Sequence, residues 1–188
     1  ICSTTMARHK ESLKSIPAAK SVHHGFISGL LMHTATMMKT ADFLAGLYGD
    51  IIDRSLLLAG TSLHDFAKEK EFTFSQLGLV TEYSVKGQLL GHLVMGAQEV
   101  AAVASELGIP EDKSVLLQHM ILSHHGEPEF GAAVKPICAE SELLSQIDML
   151  DSRMEIYRET LAGLQVGEVS SRIFALDKRV FKPHELNG

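Results

Sequence analysis

Apolar residues recur at steps of three and four along most of this chain, which is the spacing of amphipathic helices. The clearest stripe runs through residues 23–48 and carries His33 on its apolar side. A second strongly apolar segment, residues 54–64, ends at His64, and Asp65 follows it directly. The pattern therefore predicts that ionisable side chains point from two helices toward the core.

The same reasoning extends to the rest of the chain. Four further helices are predicted, with ends set by Gly and Pro, over residues 7–16, 88–107, 110–125 and 139–164. Residues 66–87 lack the helical spacing of apolar residues, which predicts a loop with one short hairpin. Alternation in residues 172–180 predicts an extended C-terminal arm. The predicted fold class is all-α, a helical bundle, with 1–22 as an N-terminal lead-in and 23–188 as a single domain.

Composition narrows the class of partner. Lys and Arg number 17 against 23 Asp and Glu, which gives a formal charge of −6. Such a balance gives no broad attraction for nucleic acid or an anionic membrane, so a phosphate-bearing substrate must be held locally. The two cysteines form no disulfide framework, and no apolar run is long enough to span a bilayer. We therefore expect a cytoplasmic protein with no membrane partner.

Seven potential metal ligands fall on five predicted helices. They are His33, His64, Asp65, His92, His124, His125 and Asp148. Helix bundles build metal sites by directing side chains inward from facing helices, and this set suffices for two metals bridged by Asp65. Imidazole and carboxylate ligands suit manganese, iron, zinc, cobalt or nickel. Two such metals could activate hydroxide for attack on phosphorus, with Lys68 contacting the phosphoryl oxygens. Asp65 and Lys68 are thus the catalytic candidates.

Each residue taken alone has a simpler interpretation. A single histidine on an apolar stripe is more often a hydrogen-bonded core residue, and Lys68 alone would be a solvated charge. When the residues are considered together, this alternative is weaker, because several buried polar groups would each need a separate partner. Weaker candidates for substrate contact are His24, Glu127, Asp151 and Arg172, and Glu127 is also a weak candidate for the general acid. His9, His119 and His184 are interpreted as surface residues.

Six longer strings extend the motif. They are HHGFISGLLMHT at 23–34, LLLAGTSLHDFAK at 56–68, EYSVKGQLLGHLVMG at 82–96, ILSHHGEPEFG at 121–131, IDMLDSRM at 147–154 and SSRIFALDKRVFKP at 170–183. With its order H…HD…H…HH…D, the chain resembles the HD-domain phosphohydrolase superfamily, and most of all the HD domain of the YhaM-type 3′-5′ exoribonucleases. The resemblance covers about residues 20–185. Ser28 departs from it by replacing the first glycine of the usual GGLL.

The resemblance implies a division of the ligands. One metal would be held by His33, His64, Asp65 and Asp148, and a second by His92, His124 and His125, with Asp65 shared. Lys68 matches the superfamily's lysine after the HD pair. Two divalent transition metals are implied, with manganese or iron ahead of nickel, cobalt and zinc. Family members also carry an N-terminal OB-fold, and no all-β segment precedes residue 20 here.

The predicted function is a metal-dependent phosphodiesterase, a 3′-5′ exonuclease of single-stranded RNA or DNA. An alternative is an HD phosphohydrolase of nucleotides, cyclic dinucleotides or phosphomonoesters, which the acidic balance and the missing OB-fold favour modestly. A di-iron oxygenase ranks lower because the His124-His125 pair resembles the phosphodiesterase branch. A metal-stabilised binding module without catalysis is the non-enzymatic alternative.

Overall fold

The computed structural model describes residues 1–14, 16–17, 28–75 and 80–185, and most of these are helical. The helices are α1 (Cys2–Arg8), α2 (Lys10–Leu13), α3 (Gly29–Leu47), α4 (Arg54–Leu63), α5 (Lys68–Glu71), α6 (Val85–Glu106), α7 (Glu111–Ser123) and α8 (Ala139–Ala162). Strands β1 (Phe72–Phe74) and β2 (Val80–Tyr83) form one antiparallel hairpin. The predicted helical bundle and its short hairpin are confirmed. None of the described helices is both long and apolar enough to span a membrane.

Local chemistry sets the ends of the helices around the site. The Asp53 carboxylate accepts hydrogen bonds from two backbone amides in the first turn of α4, and the Ser84 hydroxyl accepts one from the amide of Gly87 in α6. These caps satisfy donors that a helix start leaves without partners. Each cap thereby fixes where a ligand-bearing helix begins.

The core forms where four of these helices meet. α4 and α8 contact each other and both contact α3 and α7. The four helices contribute Met37, Leu57, Met120 and Leu144, each at most 1% exposed. Burying four such side chains removes a large apolar area from water, at about 1.5–3 kcal/mol for each side chain. The apolar cluster holds the inner faces of the helices at fixed positions, as a polar site between them requires.

Helix α6 departs from the predicted bounds at its start. It begins at Val85 rather than residue 88, and Gly91 has non-helical angles, with φ at 67° and ψ at 163°. This positive φ suits glycine because it has no Cβ. The break comes directly before His92, so it sets the direction in which that imidazole enters the bundle. The spacing of the apolar residues did not predict this break at Gly91.

Two predictions outside the bundle need correction. The interpretation of His9 as a surface residue is wrong, since it is 7% exposed and its ring lies between the carboxylates of Glu69 and Glu99. The C-terminal arm is more compact than predicted. It folds back through two antiparallel bridges, Val169 to Phe181 and Ile173 to Lys178, and packs the apolar side chains of Leu176 and Val180 against α8.

We expect Gly87→Ala to lower the free energy of unfolding by about 1–3 kcal/mol. The added Cβ would lie 2.2 Å from the backbone oxygen of Glu71, so the backbone must move. The control is Gly46→Ala, the same change in α3, where nothing lies within 4 Å of the added atom. That variant should gain about 0.5–1 kcal/mol. Urea denaturation followed by circular dichroism measures both, and equal midpoints would contradict the close approach at Gly87.

Candidate metal centre

Two of the predicted ligands are held by the ends of their own helices. His64 follows α4 and donates from Nδ1 to the carbonyl of Thr61 over 2.8 Å. His124 follows α7 and donates in the same way to the carbonyl of Ile121, also over 2.8 Å. A carbonyl can only accept, so Nδ1 carries the proton in both rings. In the neutral imidazole, Nε2 is then left as a lone-pair donor to a metal.

Asp65 lies at the centre of the cluster and is 3% exposed. Its carboxylate oxygens lie 3.3 Å from His64 Nε2, 3.2 Å from His92 Nε2 and 3.5 Å from His124 Nε2. Lys68 donates to Asp65 Oδ2 over 2.6 Å. Burial alone would raise the pKa of Asp65, but Lys68 and the nearby imidazoles outweigh it and hold that pKa well below its ordinary value. The centre therefore contains a buried carboxylate in its charged form.

His33 is flanked by carboxylates on both sides of its ring. Nδ1 lies 2.7 Å from Asp151 Oδ2, and Nε2 lies 3.1 Å from Asp148 Oδ1. Burial lowers the pKa of His33, but the hydrogen bonds with Asp148 and Asp151 outweigh it and raise the pKa to about 9. The pKa of Asp148 is lowered, because the bond from His33 and the surrounding imidazoles outweigh its own burial. Without a metal, His33 is therefore a buried imidazolium.

The opposite side of the centre contains His92 and His125. Glu71, which is buried, accepts hydrogen bonds from the backbone amide of His92 and from its Nδ1 at 3.0 Å. The His92 side chain is thus turned so that Nε2 faces Asp65. Burial, followed by repulsion from His124, lowers the pKa of His125 to about 3, so His125 is neutral at physiological pH.

Buried atoms that could ligate a metal and lack hydrogen-bond partners indicate that a cation fits this centre. In the part of the chain that the structure describes, six buried side-chain atoms lack a hydrogen-bond partner, and five belong to this cluster. They are His64 Nε2, Asp65 Oδ1, His92 Nε2, His124 Nε2 and His125 Nδ1. Buried polar groups rarely lack partners, so several in one cluster call for a ligand that satisfies them together. A bound divalent metal would compensate all of them.

The donor atoms divide into overlapping groups within which all lie within 4.8 Å of one another. The groups are Asp65 with His92, His124 and His125; His33 with His64 and Asp65; and His64 with His124 and Asp148. Asp65 is common to the first two groups, as the prediction of a bridging carboxylate requires. Asp148 groups with His64 and His124 and also lies next to His33. The structure thus brings all seven predicted ligand side chains into one cluster.

A cavity of about 380 Å³ opens beside the cluster. His124, His125 and Asp148 line one part of it, and the other walls come from the loop after α7 and from the first half of α8. Gly126 follows the histidine pair with φ at 78°, and a Cβ there would lie 2.7 Å from Ser145 Oγ. The glycine of the SHHGE string therefore lets the loop approach α8 closely.

The residues that were weaker site predictions lie in different places in the structure. Glu127 lines the cavity, whereas Arg172 lies on the C-terminal loop, 69% exposed, and pairs with Asp177. His24 lies outside the described residues. Asp151 contacts His33 Nδ1, so the structure gives it a neighbour within the cluster. Glu71 was missed because it belongs to the charged run KEKE, whose composition is typical of a solvated face.

The comparisons with known proteins agree with this arrangement. A family model described as HD domain matches residues 30–153. The chain is 43% identical to the 3′-5′ exoribonuclease YhaM of Bacillus licheniformis over 165 residues, which are 88% of this chain and 51% of that protein. It is 40% identical to YhaM of Bacillus subtilis over 174 residues, 93% of this chain and 54% of the relative. The chain therefore spans about half the length of these curated relatives. No solved structure gives a significant match.

Adding manganese(II) should raise the unfolding temperature of the protein. A metal that binds only the folded state adds about 2.7 kcal/mol at a free concentration one hundred times its dissociation constant. Asp65→Asn should lose most of this shift, because it removes the central negative charge. Asp42→Asn is the matched control, since Asp42 is half-exposed and pairs with Arg54 on the surface. An equal shift in Asp65→Asn and wild type would contradict a metal centred on Asp65.

The metal-free protein should lose stability as the pH rises through about 9. His33 has a pKa of about 9 in the folded state against 6.5 in the unfolded state, so its contribution is fully present below 6.5 and is lost as His33 deprotonates. Each unit of pKa shift is worth roughly 1.4 kcal/mol. Asp151→Asn should flatten this dependence by removing one carboxylate. Urea unfolding in chelator between pH 6 and 10 tests it, and identical slopes in both proteins would contradict the assignment.

Proposed function

We propose that this chain, which belongs to the HD-domain family, is a metal-dependent phosphodiesterase that shortens single-stranded RNA from its 3′ end. The observation that carries the proposal is the convergence of buried, unsatisfied donor atoms on Asp65, beside an open cavity. Relatives that bear the name 3′-5′ exoribonuclease support the reaction and its direction. We further propose that residues 23–188 form a single catalytic domain.

We assign the donors to two divalent metals. His33, His64, Asp65 and Asp148 would hold one, and His92, His124 and His125 would hold the other, with Asp65 shared. Five imidazoles with two carboxylates favour a transition metal over magnesium or calcium, and we propose manganese or iron. Bound divalent metals supply Lewis acidity toward a phosphoryl oxygen and lower the pKa of water toward neutrality.

The chain's own residues prepare the centre for this chemistry. Thr61 and Ile121 fix the protonated nitrogen of His64 and His124 through their carbonyls, so both Nε2 lone pairs face inward. Asp151 and Glu71 orient His33 and His92. Such partners commonly change metal affinity or activity about 10–100-fold when removed. We therefore interpret Asp151 as a residue that positions His33, rather than as the substrate contact that the sequence suggested.

We propose that Lys68 contacts the substrate as well as Asp65. Its Nζ bonds to Asp65 Oδ2, and burial lowers its pKa while the Asp65 charge outweighs burial and raises it. The ammonium is therefore held in the charged form beside the cluster, with 15% of its side chain exposed. A cation in this position would contact a non-bridging phosphoryl oxygen and stabilise the charge that develops there.

The volume of the cavity limits how much of the RNA could enter it. About 380 Å³ falls within the range of small-ligand sites and suits one terminal nucleotide rather than a duplex. A formal charge of −6 offers little long-range attraction for RNA, so affinity must come from local contacts at the site. A hydrolase of free nucleotides would use the same cavity, and the substrate comparison below separates the two.

The test is a time course on 5′-labelled single-stranded RNA with manganese, beside a mononucleotide control. We expect a ladder that shortens from the 3′ end. Asp65→Asn should be slower by at least about a hundredfold, more than a lost orienting residue costs. Asp42→Asn, a surface carboxylate, should match wild type. Retained activity in Asp65→Asn would contradict the assigned site, and intact RNA with a hydrolysed mononucleotide would replace the RNA substrate by a nucleotide.

A further inference from the structure

The cavity beside the metal centre has an acidic wall. Apart from the two histidines, its ionisable lining residues are Glu127, Glu142 and Asp148. Within the described part of the chain, no Lys or Arg lines it. Lys135 pairs with Glu127 over 2.5 Å, which offsets that charge. Glu142 accepts a hydrogen bond instead from the neutral amide of Gln146, over 3.0 Å, and this partner brings no opposite charge.

The two ends of the cavity have opposite preferences. At one end, His124 is 1% exposed and its Nε2 has no hydrogen-bond partner among the described residues, so this end is prepared for a cation and the phosphate that a cation attracts. At the other end, Glu142 precedes Asp148 by six residues on α8, about 9 Å along the helix axis. A carboxylate there accepts hydrogen bonds from hydroxyl groups and repels anions.

The remaining walls suit a nucleobase. Phe130 is 72% exposed at the rim and Met149 is 47% exposed on α8. An exposed aromatic ring provides a stacking surface that accepts any base. The Gln146 amide offers both a donor and an acceptor. The cavity thus combines an apolar contact and hydroxyl acceptors with a single phosphate-binding end.

We propose that this cavity holds the 3′-terminal nucleoside of the RNA, and that Glu142 selects ends that carry a free 3′-hydroxyl over ends that carry a 3′-phosphate. The inference rests on the proposed function. The scissile phosphate, on the 5′ side of the terminal nucleoside, lies at the metal end, so the 3′ substituent points toward Glu142. A hydroxyl donates to the carboxylate there. A terminal phosphate brings about 1.5–2 negative charges against it.

The experiment compares two RNAs of the same sequence, one ending in a 3′-hydroxyl and the other in a 3′-phosphate, with the manganese-loaded full chain. Wild type should have a kcat/KM at least about tenfold higher for the hydroxyl end, the effect of a close like-charge contact near the protein surface. Glu142→Gln keeps the shape and removes the charge, so the ratio should fall at least about threefold through faster cleavage of the phosphate end. Circular dichroism checks that the variant folds.

The control is Glu159→Gln, the same change at an exposed position of α8 away from the cavity, and it should retain the wild-type ratio. Equal rates on both RNAs in wild type would overturn the selection of the 3′ end. So would an unchanged ratio in Glu142→Gln. Failure of wild type to shorten either RNA would overturn the proposed function and the inference together, which distinguishes that failure from loss of selectivity alone.

Discussion

The buried charge of Asp65 is the constraint on which the rest of the structure depends. A carboxylate that is 3% exposed costs several kcal/mol unless opposite charge or donors surround it. Lys68 compensates one oxygen, but Oδ1 faces imidazole nitrogens and has no hydrogen-bond partner in the described chain. The helices pack so that this uncompensated group lies among metal-ligating atoms. The packing energy of the bundle therefore holds a buried carboxylate where a cation would stabilise it further.

The imidazoles around Asp65 are oriented by two kinds of partner, and the difference changes their charge. Backbone carbonyls hold His64 and His124, and burial lowers the pKa of His124. Carboxylates hold His33 and His92, and there the carboxylates outweigh burial and raise the pKa of both. Protons therefore compete with a metal more strongly on the His33 side. Burial of His124 favours its neutral form, in which Nε2 is open to a metal.

The helices and the side chains that cluster between them could be predicted from the sequence because both follow from local rules. Apolar spacing identified α3, α4, α7 and α8, and the rarity of buried ionisable groups singled out the histidines. Features that arise from tertiary contacts could not be predicted. The burial of His9 needs Glu69 and Glu99 from distant segments. Ser28 has a φ of 67°, a conformation that explains why a glycine is usual at this position in the family it resembles, yet its own residue type gives no sign of it.

The acidic cavity and the metal centre impose opposite electrostatic demands within a short distance. A chain with a formal charge of −6 attracts polyanions weakly at long range, so in the proposed enzyme phosphate would be held only where bound metal outweighs the surrounding carboxylates. Beyond that point the same carboxylates would repel a second phosphate. Specificity then comes from repulsion as well as attraction, which discriminates between ends that differ by a single group. An acidic surface is therefore compatible with an enzyme that acts on RNA, provided that it acts at the terminus.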